Sequence, residues 1–278
     1  MKSLFDVPAP AKLNLFLHIV GRRADGYHML ESVFMLIDWC DTLHFDLRPD
    51  RTISREDLST PLPADDLITR AARALQVVSG TAQGVHIGVA KSIPEQAGLG
   101  GGSSDAASTL LALNRLWGLK LSLVQLQQIG LQLGADVPFF LHGHNAWVNG
   151  IGEQMTPITL PAARFVVIKP SVGLQTARIF SHPDLKRDTG TATILDFAAN
   201  EFDFGHNDLQ SVAQLLCPSV TQALDWCGER GLKGKMTGSG SAVFARIEGD
   251  LEIGSKAGFL IKPCRNLAAH PLQGWAEK

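Results

Sequence analysis

Tyrosine occurs once in this 278-residue chain, and its four cysteines include no Cys-x-x-Cys pair. Cys40, Cys217, Cys227 and Cys264 are scattered, which excludes a disulfide framework and a thiolate zinc site of ordinary spacing. Charge of one sign is lacking too, since 25 Lys and Arg stand against 27 Asp and Glu for a formal net charge of −2. That balance leaves no basic footprint, so no nucleic-acid partner is expected. No apolar run is long enough to span a bilayer, so no membrane partner is expected either. The N-terminus shows no basic region leading into an unbroken apolar segment, and with free thiols this points to a cytoplasmic location.

Two phosphate loops are excluded by residue. A P-loop needs Lys followed by Ser or Thr after its last glycine, yet here Gly102 is followed by Ser103 and the loop holds no Lys. The dinucleotide fingerprint needs a third glycine at position 103 and an acidic residue some way downstream. Ser103 and the carboxylate-free run 119–129 fail both.

What the chain does have is Ile93-Pro94-Glu95-Gln96-Ala97-Gly98-Leu99-Gly100-Gly101-Gly102-Ser103-Ser104. Upstream, Val85, Ile87 and Val89 alternate as in a half-buried strand. Downstream, Ser103, Ser104 and Asp105 supply N-cap candidates and an acidic first turn, and Leu110, Leu111, Leu113 and Leu116 keep helical spacing up to Gly118. Backbone N–H groups at a helix N-terminus have no intrahelical partner and lie at the positive end of its dipole. Glycines let a phosphate approach them. The bland alternative is a flexible turn with Ser as cap; four glycines in five positions between strand and helix favour the anion cradle.

With 45% hydrophobic residues, the length suits one large or two medium domains. Residues 11–20 alternate as a strand that places Ala11, Leu13, Leu15, Leu17 and Ile19 on one face and Lys12, Asn14, Phe16 and His18 on the other. A second strand over 32–39 can pair with it across the loop at 21–28. Helices are expected over 65–79, 121–133, 208–216 and 219–230, and strands over 146–148, 153–158, 164–168 and 242–247. Residues 183–193 look like an exposed loop. The expected class is α+β, with domains at 1–155 and 156–278.

Three segments together resemble the motifs of the GHMP small-molecule kinases, a family that includes galactokinase, homoserine kinase and mevalonate kinase. They are Pro8-Ala9-Pro10-Ala11-Lys12-Leu13-Asn14-Leu15, the loop from Gly98 to Ser104, and Thr237-Gly238-Ser239-Gly240-Ser241-Ala242. Ala24-Asp25-Gly26-Tyr27-His28 and Gly134-Ala135-Asp136-Val137-Pro138 are similar to one branch, which phosphorylates a cytidyl diphosphate sugar alcohol in the non-mevalonate isoprenoid pathway. The resemblance implies an N-terminal ATP domain of ribosomal-protein-like α+β fold and a C-terminal domain of ferredoxin-like topology. It further implies ATP as donor, magnesium carried by the nucleotide, and a small cytidyl sugar alcohol as acceptor, with the protein itself supplying no metal site.

By the same resemblance, Asp136 takes the proton of the attacking hydroxyl and Lys12 stabilises the charge that develops. The bland readings are a helix N-cap for Asp136 and a solvated strand lysine for Lys12. Pro94, Gly98, Leu99, Gly100, Gly101 and Gly102 form the nucleotide cradle with Ser103 and Ser104; Ser104 is the candidate for a hydroxyl near magnesium or the β-phosphate, with Ser103 the near-equal alternative, and either could merely cap the helix. Asp105 is expected to complement the helix dipole without a ligand role. Tyr27, His28 and Phe180 are implied as the cytosine pocket, with Asn14, Thr176, Gly238 and Gly240 also against substrate. His142 and His144 have no acidic or cysteine partner at ligand spacing, so they are read as surface residues. Competing functions are a GHMP kinase for mevalonate or homoserine, which needs no Tyr27-His28 pocket, and a nonenzymatic nucleotide-binding regulator, which has no use for both Lys12 and Asp136.

Overall fold

In the computed structural model, residues 2–249 and 254–277 are described. The chain opens with two long antiparallel strands, β1 (Ser3–Arg22) and β2 (His28–Arg48). They are followed by β3 (Ile53–Asp57), α1 (Leu67–Ser79), β4 (Gly84–Ala90), α2 (Gly101–Leu116), α3 (Leu123–Leu133), α4 (Val137–His142), β5 (Ala146–Asn149) and β6 (Gln154–Pro157). The six strands form one sheet in the order β3-β4-β2-β5-β6, with β1 also on β2. Only the β3–β4 pair is parallel; the other pairs are antiparallel.

Local chemistry fixes the helix ends. Asp66 caps α1 by accepting from Ile68 N–H and Thr69 N–H, and Gly80 ends it in the left-handed conformation at φ 65°. A reciprocal Ser122–Gln125 capping box starts α3. The apolar stripes of these helices close over the sheet in a core that includes Leu75, Leu110, Leu113, Leu126 and Phe139.

The second half runs through β7 (Arg164–Pro170), α5 (Thr176–Phe180), α6 (Ile194–Ala198), α7 (Gln210–Leu216), α8 (Pro218–Gly228), β8 (Lys235–Met236), β9 (Val243–Ile247) and β10 (Phe259–Arg265). Its antiparallel sheet has the order β10-β7-β9-β8, which is the 4-1-3-2 strand order of a ferredoxin-like sheet. Among the described residues, no helix lies between β9 and β10. The tail then returns to the first sheet's lobe: Leu267 N–H donates to Leu36 O, His270 N–H to Gly143 O, and Leu272 joins the first core.

Strand β1 departs from the expected two-faced alternation. Register shifts between Pro10 and Lys12 and between Asn14 and Leu17 interrupt it. Leu15 and its neighbour Phe16 therefore enter the same core, shared with Phe165, Val167 and Phe244 of the second lobe, whereas Leu17 and Ile19 enter the core beneath α7 and α8. Both faces are buried, including Lys12, Asn14 and His18, because the strand runs between the two lobes. The segment 183–193 is without helix or strand but is not simply exposed, since Leu185 packs into the second lobe's core and Thr189 is buried.

Candidate active site

Three motifs far apart in sequence meet backbone to backbone. Lys12 N–H donates to Leu99 O at 2.9 Å, tying β1 to the glycine loop. From the other lobe, Ser241 N–H donates to Gln96 O at 3.1 Å and Ala242 N–H to Ala97 O at 3.2 Å. Thr237 Oγ1 accepts from Asn14 N–H at 2.9 Å and donates to Gly98 O at 3.4 Å. A cavity of about 1300 Å³ opens where they meet.

The glycines of the loop serve two purposes. A Cβ on Gly98 would lie 2.2 Å from Thr237 O, and one on Gly100 would lie 3.0 Å from the Phe140 ring. Both have φ of 73°, so the packing of the protein itself, as well as the backbone turn, excludes larger residues there. Gly102 differs, because the nearest atom to its Cβ would be Leu67 Cδ1 at 3.6 Å. This is the position where bare backbone faces open cavity. Helix α2 begins after Gly100, whose left-handed backbone replaces the expected serine cap. The first intrahelical bond runs from Ser104 N–H to Gly100 O, so the N–H groups of Gly101, Gly102 and Ser103 precede it at the cavity wall.

Ser103 lines the cavity. Ser104, the first candidate, does not: it is fully buried, and its Oγ finds no partner among the described residues. One residue along a helix turns a side chain by about 100°, which carries Ser104 into the core. The remaining residues expected at the site line this cavity too: Pro94, Gly98 and Leu99 with Gly100 to Gly102, Tyr27, His28, Thr176 and Phe180, and Asn14, Gly238 and Gly240. Thr176 Oγ1 and Ser239 Oγ share a hydrogen bond of 2.7 Å, and the His28 and Phe180 rings are 5.2 Å apart. Tyr27 is 60% exposed at the rim.

Lys12 Nζ is 4.7 Å from the Phe34 ring centroid, donates to Asn14 Oδ1 at 2.5 Å and is 3.6 Å from Asp136 Oδ2. Lys12 is therefore neither solvated nor free. Asp136 stands at the start of α4 but makes no side-chain cap bond. Its φ and ψ of −86° and −13° are already helical, whereas a capping aspartate needs extended backbone. The carboxylate is left one-third exposed, facing the cavity beside the ammonium.

Asp105 was expected to do no more than complement the dipole of α2; instead it is buried and paired with Lys91 at 2.5 Å. Lys91 also pairs with Asp41, whose second oxygen accepts from Ser92 N–H and Ile93 N–H. This cluster clamps the strand before the glycine loop to the helix after it. Burial pushes the Asp105 carboxyl up, to about 7; Lys91 opposes this and the Asp41 carboxylate adds to it. Burial alone would lower Lys91, but its two carboxylates outweigh that and leave it raised. The sequence offered Lys91 only as a charge three residues before Pro94, with nothing to show that β2 brings Asp41 alongside. Asn207 was also missed as a support; its Nδ2 donates to Met236 O and Gly238 O, each at 2.8 Å, bracing the third motif. His142 and His144 are half-buried, with rings 5.6 Å apart, rather than surface residues.

Two lobes joined by glycine turns, with a lysine–carboxylate pair in the cleft, define a small-molecule kinase of the GHMP type, and the comparisons agree. The family described as GHMP kinases N terminal domain matches residues 66–144, and GHMP kinases C terminal matches residues 189–256. The chain belongs to the GHMP kinase family. Within it, the chain is 69% identical to the 4-diphosphocytidyl-2-C-methyl-D-erythritol kinase of Albidiferax ferrireducens, over 99% of this chain and 96% of that one. A crystal structure of 4-(cytidine 5'-diphospho)-2C-methyl-D-erythritol kinase superposes with a TM-score of 0.75 at 34% identity, covering 89% of this chain and 90% of that one. A homoserine kinase from Cytophaga hutchinsonii shares the fold, with a TM-score of 0.70 at 16% identity over 97% of this chain and 96% of that one.

Proposed function

We propose that this protein transfers the γ-phosphoryl group of ATP to the 2-hydroxyl of 4-diphosphocytidyl-2-C-methyl-D-erythritol, a step of the non-mevalonate isoprenoid pathway. The Lys12–Asp136 pair carries the reading, because it lines the same cavity as the glycine loop and the His28–Phe180 ring pair. The fold is shared with kinases of smaller alcohols, so the substrate must be argued from the slot and from the relatives.

The acceptor hydroxyl is tertiary and weakly acidic, so alignment and a proton acceptor matter. Asp136 takes the hydroxyl proton as the oxygen attacks phosphorus and the bond from the γ-phosphorus to the bridging oxygen breaks; ADP leaves and the proton rests on the carboxyl. Lys12, 3.6 Å from Asp136 Oδ2, stabilises the negative charge gathering on the oxygen. Its own position is fixed by Asn14 and Phe34. Gly101, Gly102 and Ser103 N–H groups hold the phosphates, with Pro94, Gly98 and Leu99 shaping the cradle.

Ser103, which lines the cavity beside the glycine loop, would contact magnesium brought with the nucleotide, and the metal would there neutralise phosphate charge. His28, Phe180 and Tyr27 receive the cytosine, and Thr176, Gly238 and Gly240 shape the space beside it. Residues 1–155 are assigned to the nucleotide side and 156–278 to the substrate side, with Tyr27 and His28 reaching the substrate from the first of these and the stretch 267–272 returning to pack on it. A cytoplasmic setting is supported by four cysteines that are all unpaired. Incubation with ATP and the cytidyl substrate, followed by phosphorus NMR of the product, tests the assignment: one new monoester on the tertiary carbon is expected. A product phosphorylated at a different hydroxyl would reject it.

A further inference from the structure

His28 begins β2 in the first lobe, and Phe180 ends α5 in the second. The residue that fixes both is Arg187, in the segment between α5 and α6, which does not itself line the cavity. Its Nε donates to His28 Nε2 at 3.1 Å. One terminal nitrogen donates to Leu185 O at 2.9 Å and Pro183 O at 3.4 Å. The other donates to His182 O at 2.8 Å and Phe180 O at 3.3 Å. All five guanidinium donors are thus engaged. The segment is pinned to the first lobe by Thr189 N–H on Ile19 O and Ala192 N–H on Glu31 Oε2.

An arginine cannot accept a hydrogen bond, so His28 Nε2 must be the bare nitrogen. Neutral imidazole then carries its proton on Nδ1. We propose that Arg187 is the positioning residue of the base pocket, holding His28 as the neutral Nδ1–H tautomer and fixing its ring beside Phe180. The charges facing His28 agree: burial lowers its pKa, and the cations of Arg187 and Arg22 lower it further. Among the described residues, no carboxylate forms an ion pair with Arg187 to offset a second positive charge. The inference rests on the reading of this slot as the base pocket.

The test is a long-range proton–nitrogen NMR correlation of the histidine rings in the wild-type protein, with His28 assigned from the spectrum of His28→Gln. The expected pattern at neutral pH is a protonated Nδ1 and a bare Nε2; a protonated Nε2 or a charged ring overturns the proposal. No folding of a variant at Arg187 is needed for that readout. In Arg187→Gln, the KM for the cytidyl substrate should rise about tenfold while kcat stays within about twofold, and His28 should titrate at higher pH. Unchanged titration of His28 in a folded Arg187→Gln protein also overturns it. A base-free substrate used as well as the cytidyl one would remove the pocket reading yet leave the tautomer result standing, so the two failures are distinguishable.

Discussion

Lys12 Nζ and Asp136 Oδ2 lie 3.6 Å apart, although 124 positions separate them (136 − 12), because the glycine loop holds β1 through Leu99 O while α4 starts beside it. Neither residue contributes to the glycine loop. Asp136→Asn and Lys12→Met should each lower turnover by about 10²-fold or more, the scale of lost acid–base and electrostatic stabilisation, with nucleotide affinity largely kept. Steady-state kinetics beside calorimetric ATP binding checks this. Near-normal kcat in Asp136→Asn would remove its role as base.

Gly98 and Gly102 should respond in opposite ways. Gly98→Ala sets a Cβ against Thr237 O at a strained φ, so the variant should lose on the order of 1–3 kcal/mol of stability or fail to fold. Gly102→Val has room and should melt close to the parent, yet it should weaken ATP binding by filling the cradle. Thermal melts paired with nucleotide titrations separate the two effects.

The two serines that follow are also separable. Ser103→Ala should slow turnover by about tenfold if its hydroxyl contacts phosphate or metal. Ser104→Ala deletes a buried hydroxyl that has no partner among the described residues, and should leave activity and stability near those of the parent.

Asp105 gives a pH signature. Its folded pKa, about 7, stands above its ordinary value of 3.8, so between those values the folded state binds more protons than the unfolded. Stability from this group is therefore greatest at acid pH and falls as pH rises through that window. Asp105→Asn should gain stability relative to the parent as pH rises from about 4 to about 8, with the gain fading toward pH 4. Denaturant melts across the range test this; an advantage independent of pH would contradict it.

Much of this was legible in the sequence. Apolar spacing is a local signal, and the helices expected over 65–79 and 121–133 formed as Leu67–Ser79 and Leu123–Leu133; a helix also follows the glycine run, but Gly100 stands at its cap in place of the expected serine. Lys12 and Asp136 were legible only by resemblance, since taken alone a strand lysine and a pre-helical aspartate have blander readings. What was hidden depends on distant packing. No periodicity shows that register shifts turn Leu15 and Phe16 into one core, or that Asp41 joins Lys91 and Asp105. Arg187, in a stretch that looked like plain exposed loop, is held there by carbonyls of its own segment and by a histidine 159 positions away.

Recognition of the base by His28 and Phe180 can be separated from the chemistry at the hydroxyl. His28→Ala and Phe180→Ala should raise the KM for the cytidyl substrate about tenfold, by analogy with a lost stacking partner, and leave that for ATP nearly unchanged. The most direct measurement is ADP release by the wild-type protein with the cytidyl diphosphate substrate, methylerythritol phosphate without the cytidyl group, mevalonate and homoserine side by side. Efficient turnover of the first alone is expected; equal turnover of the base-free phosphate, or preference for mevalonate or homoserine, would mean that the slot does not read a cytidyl base.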